Sequence, residues 1–223
     1  MDAAETMEEL GRRERKKLRT REALIDAAFE QFADRGFEAT TVEGIAEAVD
    51  VSSRTFFRYF SSKEDVVLTF HEEQFAQILE ALRGRPADEP VVTALRRAVF
   101  NVVTRYERGD SGFDQGRLKC VLDMSLRSPS VLARTLEHAQ KKQSMLTAVI
   151  ADRMGVDPAD DLRPHVVASM AGCAFQSTTE LMLRQPDRFA GLSAAVDEAF
   201  AIIESGLNFP SKTSPEGSPG SLA

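Results

Sequence analysis

Apolar residues recur every three or four positions along most of this chain, which is the spacing of a buried face on an α-helix. Glycine, proline and short clusters of serine or aspartate interrupt the pattern and mark successive helix ends. The pattern therefore predicts an all-α protein of about nine helices, with a three-helix head followed by a larger helical body.

The longer helices can be bounded from this pattern and from their capping residues. The first follows a basic run and ends at Arg35, with Gly36 as its C-terminal cap. The later helices are predicted over Lys63 to about Arg83, Val91 to Arg108, Gln115 to Arg127, Ser130 to Met154, Pro164 to about Gln185, and Ser193 to Gly206. We expect Ser130 to cap the helix that it begins.

Two short helices are predicted between Thr40 and Phe60. The first has one apolar stripe, formed by Val42, Ile45, Ala46 and Val49. Thr40 or Thr41 can cap it, and it stops at Asp50, a residue type that tolerates a left-handed backbone. The pair Ser52-Ser53 then caps a second helix over about Arg54 to Phe60. Two helices joined by such a tight turn make a helix-turn-helix, whose second helix enters the DNA major groove.

The side chains of that second helix suit a groove better than a solvent face. Phe56 and Phe60 are four positions apart and can pack inward, which turns Ser53, Arg54, Phe57 and Arg58 outward. Arginine can bond a guanine edge with two hydrogen bonds, and an aromatic ring can contact a thymine methyl group. The alternative is a packed aromatic core. It explains Phe56 and Phe60 but gives Phe57 no role.

The stretch from Thr40 to Val67 resembles the DNA-binding signature of the TetR family of bacterial regulators. The matching positions are Thr41, Ile45, Ala46, Val51, Ser52, Thr55, Phe56, Tyr59, Phe60, Ser62, Lys63 and Glu64. Three positions depart from the family pattern: Asp50 replaces a turn glycine, Arg54 replaces a small residue, and Phe57 replaces a tyrosine. The resemblance covers about the first third of the chain and implies an all-helical, dimeric protein.

The resemblance also suggests which residues meet an operator. Ser53, Arg54, Phe57 and Arg58 would read bases, with Thr55 at the boundary. Thr41, Ser52, Tyr59 and Lys63 would hold phosphates. Arg19 belongs to a basic run of seven Lys or Arg and one acid between Gly11 and Arg21, which we expect to contact phosphates as well.

The overall charge argues weakly against DNA binding. The chain carries a formal charge of −7, and its first 65 residues carry 11 basic and 15 acidic side chains. An acidic stripe accounts for part of this excess, because Glu22, Asp26, Glu30 and Asp34 recur every four residues. We expect that stripe to face away from the duplex.

These features divide the chain into four parts. Residues 1–11 form a disordered acidic arm, 12–65 the helix-turn-helix domain, 66–207 the effector-binding and dimerisation body, and 208–223 a disordered tail. The helix that starts at Lys63 connects the DNA-binding domain to the body, since it begins beside the DNA-binding elements and its apolar face continues into the body.

The body contains more large apolar side chains than dimerisation alone requires. Candidates for lining an effector pocket are Phe70, Phe100, Val103, Tyr106, Met124, Met145, Val149 and Phe175, although each can also be plain core. As a set they favour a mainly apolar or aromatic small molecule. In the family the last two helices form the dimer interface, and the residues that fit this role are Ala168, Ala171, Gly172, Phe175, Thr179, Ala199, Ile202 and Ile203.

A helical enzyme is the rival interpretation from another class. The three histidines, His71, His138 and His165, fall on separate predicted helices with no metal-ligand spacing, and His71 and His138 are expected to be solvated. There is no phosphate-binding glycine loop or nucleophile elbow. We therefore expect no cofactor, no metal and no catalytic site. A DNA-binding regulator without an effector, or an activator, stays open beside a repressor released from a palindromic operator.

Other features bound the environment. The two cysteines, Cys120 and Cys173, are expected to be reduced packing residues. No hydrophobic run is long enough to span a membrane, and the N-terminus is charged. The sequence thus predicts a cytoplasmic homodimer whose partners are double-stranded operator DNA and a small effector, with no membrane.

Overall fold

The computed structural model describes residues 11–207 and residue 209. The expectations for the acidic arm and the C-terminal tail concern residues that lie outside this range, apart from Gly11 and Phe209. Across the described part of the chain every regular element is a helix. The helices are α1 (Arg12–Arg35), α2 (Val42–Ala48), α3 (Ser53–Phe57), α4 (Lys63–Arg83), α5 (Val91–Arg108), α6 (Gln115–Arg127), α7 (Pro129–Met154), α8 (Arg163–Arg184) and α9 (Leu192–Ser205).

The head is formed by α1, α2 and α3 around an aromatic core. On α1, Phe29 and Phe32 meet edge to face, with ring centroids 5.7 Å apart. Ile45 from α2 and Phe56 from α3 are completely buried against this face. Aromatic rings remove a large apolar area from water, so they can stabilise a domain this small.

Helix α4 connects the head to the body. Val66, Val67 and Phe70 near its start are buried, and so are Ile78 and Leu79 further along. The helix packs against α5, α7 and α6 in the body and also contacts α1 in the head. A rigid element with buried residues at both ends can transmit a movement from one part to the other.

The body is a bundle in which α5 packs on α9, and α8 packs on both α7 and α9. Arg96 on α5 fixes the α5–α9 pair by donating two hydrogen bonds to Asp197, at 2.7 and 2.8 Å. Glu107, also on α5, accepts a hydrogen bond from the backbone N–H of Ser193 in the first turn of α9. Helix ends carry unpaired backbone groups, so this contact supplies an acceptor that α9 lacks.

The start of α7 and the end of α3 differ from the prediction. Helix α7 begins at Pro129, with Ser128 in the N-cap position, so the prediction that Ser130 is its cap is wrong. Proline fits the first helical turn because it has no N–H to leave unpaired. Ser130 instead donates to Glu64 of α4 (3.0 Å), and Ser128 donates to Glu38 of the head (2.8 Å). Helix α3 is also shorter than predicted and continues only as turns to Phe60.

Candidate functional site

The turn between α2 and α3 has the geometry that the sequence predicts. Thr41 caps α2 by accepting from Gly44 N–H, and Ser52 caps α3 by accepting from Thr55 N–H. Asp50 adopts φ 55°, and no other non-glycine residue in the described segments has a positive φ. Val51 N–H donates to Ala46 O at 3.0 Å across this turn. The chain reversal between the two helices is therefore set by local hydrogen bonds.

Helix α3 presents two faces of opposite character. Phe56 is 0% exposed and Phe60 is 5% exposed, whereas the adjacent Phe57 is 55% exposed. Arg54 and Arg58 are exposed, and Ser53 is half-buried. The prediction for the orientation of the phenylalanines is confirmed. A large exposed aromatic side chain between two arginines is unusual for a solvent face and is suited to base edges.

The end of α3 holds one arginine in a fixed position. The Arg58 guanidinium lies over the Tyr59 ring, 5.2 Å from its centroid, and its Nη2 donates to the Tyr59 hydroxyl at 3.3 Å. At the start of the helix, the Ser52 and Thr55 hydroxyls are 3.1 Å apart. These contacts lower the number of conformations that the side chains would lose on binding DNA.

The structure gives Lys63 a different role from the expected phosphate contact. Its ammonium donates to the backbone oxygens of Phe37 (2.6 Å), Thr40 (2.9 Å) and Glu38 (3.4 Å). It also lies 4.3 Å from the centroid of the Phe37 ring. An ammonium has three donors, and all three are directed at carbonyl groups of the loop between α1 and α2. Lys63 therefore ties the first turn of α4 to the head.

Replacing Lys63 with methionine should lower the free energy of unfolding by about 1 to 3 kcal/mol, because partly buried carbonyl groups would lose their donor. The salt dependence of DNA binding should not change. Urea unfolding and DNA titrations at several salt concentrations would measure both quantities.

The matched control for Lys63 is Lys17, an exposed lysine in the basic run of α1. Lys17→Met should leave stability unchanged and reduce the salt slope by about one, as expected for a lost phosphate contact. A reduced salt slope for Lys63→Met at unchanged stability would restore the phosphate role.

Arg19 is exposed on α1, and the acidic stripe of that helix is exposed as well. Asp26, a member of the stripe, forms an ion pair with Arg117 of α6. The Arg117 guanidinium also lies 5.1 Å from the centroid of the Phe29 ring. Part of the acidic stripe is thus directed at the body.

The structure places the eight pocket candidates in different surroundings. Phe70, Val103, Tyr106, Met124 and Val149 are buried, and Phe175 is partly buried. Phe100 and Met145 are 37% and 44% exposed, so they do not join this interior set. Phe100 instead borders a surface hollow of about 350 Å³. Helical periodicity could not separate these positions, because it does not show which of two apolar stripes on a helix faces inward.

Sequence reasoning missed several polar groups on the interior side of α4. The prediction that His71 is solvated is wrong: its Nε2 atom is buried without a hydrogen-bond partner among the described residues, although part of the residue is accessible. Burial, together with Lys142 of α7, lowers the pKa of His71 to about 3. Gln74 Nε2 and Gln77 Oε1 are also buried and unpaired within this part of the chain. Their spacing of three residues along α4 was the available signal.

The dimer candidates on α8 fall on two sides of the helix. Ala168 and Ala171 are 2% and 4% exposed and fill the core of the subunit itself, so they are not available to a second copy. Gly172 is exposed, and on α9 Ile202 is 40% exposed. The other candidates, Phe175, Thr179, Ala199 and Ile203, are partly buried. Cys173 is free and exposed rather than packed.

The described residues contain neither a membrane-spanning helix nor a cluster of metal-ligating side chains. None of these helices is long and apolar enough to cross a membrane. Within the same residues, no group of three or more His, Cys, Asp or Glu side chains is placed to hold a metal ion.

Comparisons with known proteins agree with this geometry. The model for bacterial regulatory proteins of the tetR family matches residues 24–69, and the model for the MftR C-terminal domain matches residues 89–208. The transcriptional regulator TcmR of Streptomyces glaucescens is 39% identical over 191 residues, which are 85% of this chain and 84% of TcmR. The putative mycofactocin biosynthesis regulator MftR of Mycobacterium tuberculosis is 26% identical over 87% of this chain and 94% of its own.

Solved structures share the fold. FadR of Thermus thermophilus, a TetR-family repressor in complex with lauroyl-CoA, superposes with a TM-score of 0.56 at 25% identity, covering 88% of this chain and 100% of FadR. The SmeT–triclosan complex gives 0.57 at 18% identity, covering 92% of this chain and 99% of SmeT. The helix-turn-helix geometry and the helical body agree with the family models, and TcmR matches over most of the chain. The chain belongs to the TetR family of bacterial transcriptional regulators.

Proposed function

We propose that this regulator is a homodimeric repressor that leaves a palindromic operator when a small effector binds its body. The observation that carries the proposal is the exposed face of α3, where Arg54, Phe57 and Arg58 project from a base of buried Phe56 and Phe60. Operator DNA lies in the bacterial cytoplasm, so the protein would act there. The proposal includes no catalytic step.

At the operator, Ser53, Arg54, Phe57 and Arg58 would contact base edges, with Thr55 at the border of the contact. Thr41, Ser52 and Tyr59 of the head would hold phosphates, and Arg19 would reach the neighbouring backbone. The two α3 helices of a dimer would enter major grooves about 34 to 36 Å apart.

The dimer would form through α8 and α9. An outer stripe of small or polar residues runs along α8 and consists of Ser169, Gly172, Cys173 and Gln176, all exposed. Small side chains let helices approach closely, and Ile202 on α9 adds exposed apolar area beside them. Ala168 and Ala171 support this surface from inside the subunit.

The effector signal would pass through the corner between α6 and α7. Ser128 at this corner bonds Glu38 of the head, and Ser130 bonds Glu64 in the first turn of α4. Arg134 of α7 donates to Asp65 at 2.8 Å. A shift of α7 caused by an effector would therefore act directly on α4 and the head, and it would change the separation of the two α3 helices.

Selection of bound sequences from a random duplex pool should yield a palindromic consensus occupied by two or four subunits. Arg54→Ala should weaken binding by roughly 1 to 3 kcal/mol and relax the preference at one position of each half-site, since Arg54 would read a base. The consensus sequences selected by the wild type and by Arg54→Ala show the change in preference, and the masses of the complexes show how many subunits bind.

Arg83 supplies the control for Arg54. It is an exposed arginine in the last turn of α4, at the end remote from the head, and its Ala variant should select the wild-type consensus. If Arg54→Ala keeps the full wild-type preference, the reading face is wrongly assigned. If the wild type enriches no sequence at low salt, the proposed function fails.

A further inference from the structure

The interior side of α4 carries buried polar atoms that have no partner among the described residues. Across the described residues, His71 Nε2, Gln74 Nε2 and Gln77 Oε1 are buried and make no hydrogen bond. The Gln77 amide is hydrogen-bonded through its nitrogen, since Nε2 donates to the Tyr106 hydroxyl at 3.2 Å. Leaving a buried polar group unpaired is costly, so three of them within two turns of one helix require an explanation.

Lys142 of α7 lies beside the same part of α4. Its Nζ is 6.0 Å from the centroid of the Phe75 ring, and burial lowers the pKa of Lys142. No carboxylate of the described chain comes within 4 Å of this ammonium, although Glu72 attracts it from further away. Lys142 also contributes to the low pKa of His71, because a positive charge nearby disfavours protonation of the imidazole. Lys142 is thus a partly buried cation that has no close counter-ion in the described part of the chain.

Aromatic rings border these polar groups. The centroid of the Phe70 ring is 6.4 Å from that of His71 and 5.1 Å from that of Tyr106, and Phe75 lies under Lys142. Ligand pockets usually combine apolar walls with a few polar groups that fix orientation. Here the polar groups are a cation, an imidazole and two amides. An acidic group fits this set, since it would pair with Lys142 and accept from the His71 and Gln74 N–H groups.

The other charged groups around this region are exposed or already paired, which leaves Lys142 as the cation available to a ligand. On α4, Glu72 and Glu73 are exposed at the rim, and Glu72 lies 4.0 Å from His138 of α7. On α6, Arg117 is already paired with Asp26. The surface hollow beside Phe100 contains two arginines, Arg85 and Arg97, but both are bound to Glu89. Lys142 is the cation that an added anion would satisfy.

We propose that the effector site lies between α4 and α7 around His71 and Lys142, and that it takes an organic anion. Such a molecule has an aromatic or acyl body that packs on Phe70 and Phe75 and an acidic group that pairs with Lys142. The inference rests on the effector-responsive function proposed above. It adds an acidic group to the mainly apolar effector that the sequence suggests.

Two fluorescent probes that differ in one group test this inference. Anilinonaphthalene sulfonate is an aromatic anion, and N-phenyl-1-naphthylamine is the same scaffold without the sulfonate. Because the chain has no tryptophan, probe emission can be read without transfer from indole groups. The wild type should bind the anion about tenfold more tightly than the neutral probe, the effect of one favourable charged contact.

Lys142→Gln should weaken anion binding about tenfold and change the affinity for the neutral probe less than about twofold. Lys142→Arg should retain the preference for the anion, because it keeps the charge. Lys141→Gln is the matched control, since Lys141 is the exposed neighbour on the same helix, and it should behave as the wild type. Circular dichroism would verify that each variant is folded.

Three results would overturn the inference. The wild type could bind both probes with equal affinity, Lys142→Gln could weaken the binding of both probes equally, or Lys141→Gln could weaken anion binding as much as Lys142→Gln does. Operator binding by the wild type is measured separately. Specific DNA binding without a probe preference would remove only the anion site. A probe preference without specific DNA binding would support the anion site and contradict the proposed repressor function.

Discussion

Replacing Phe56 with alanine should lower the free energy of unfolding of the head by about 3 to 5 kcal/mol, the usual cost of removing a fully buried phenylalanine. Phe56 is 0% exposed, and its ring centroid lies 5.5 Å from that of Phe60 and 5.6 Å from that of Phe57. The loss leaves a cavity beneath α3, which has only five residues and depends on this contact for its position. Operator binding should therefore be lost together with the fold of the head.

Phe57 provides the matched control, because it is the same residue type one position further along and 55% exposed. Phe57→Ala should cost about 1 kcal/mol or less, which corresponds to its edge contact with Phe56. It should nevertheless weaken operator binding, since its ring would contact a base. Urea unfolding at one fixed protein concentration and DNA binding by fluorescence anisotropy would separate the two effects. Equal stability losses for the two variants would contradict the two-faced description of α3.

The head could be predicted closely because its structure is determined by local signals. Thr41 and Ser52 cap the helices that follow them, and Asp50 adopts the left-handed conformation that its residue type tolerates. The four-residue spacing of Phe56 and Phe60 identifies the buried side of α3 and of the turn that follows it. Each of these features involves residues no more than five positions apart, so the sequence contains them directly.

Contacts between distant residues could not be predicted in the same way. Lys63 bonds carbonyl groups 23 to 26 positions earlier in the chain, and nothing around Lys63 indicates this. His71 stands next to two glutamates, which favoured a solvated position, but the packing of α7 on α4 buries its Nε2. On α8 the small residues continue around the helix. Only the packed bundle shows that Ala168 and Ala171 face inward while Gly172 faces outward.

These distant contacts concentrate on α4. Lys63 attaches its first turn to the head, and Glu64 and Asp65 bind the start of α7. One to two turns later, His71 is affected by the charge of Lys142. An effector that pairs with Lys142 would therefore act within about two helical turns of the residues that hold the head, roughly 11 Å along the axis. The short distance means that a small rotation of α7 against α4 would reach the DNA-binding surface.

Acidification from pH 7 to pH 4.5 should reduce the free energy of unfolding by about 2 to 3 kcal/mol through His71 alone. Burial, followed by the nearby Lys142, lowers the pKa of His71 from 6.5 to about 3. Well above pH 6.5 both the folded and the unfolded states carry a neutral imidazole, so His71 causes little change in stability there. As the pH falls from 6.5 toward 3, the imidazole is protonated in the unfolded state but stays neutral in the folded state. The free energy of unfolding therefore decreases over this pH range.

Urea unfolding of the wild type and His71→Gln at pH 7 and pH 4.5 would isolate this contribution. Protonation of carboxylates such as Asp197, whose pKa is lowered by its hydrogen bonds with Arg96, also destabilises the folded protein in acid. This loss is equal in the wild type and in His71→Gln. The His71→Gln variant should therefore lose about 2 to 3 kcal/mol less than the wild type between the two pH values. His165→Gln, which changes an exposed histidine on α8, should lose as much as the wild type. An equal acid loss in wild type and His71→Gln would show that His71 is protonated in the folded protein, because water or an anion reaches its Nε2.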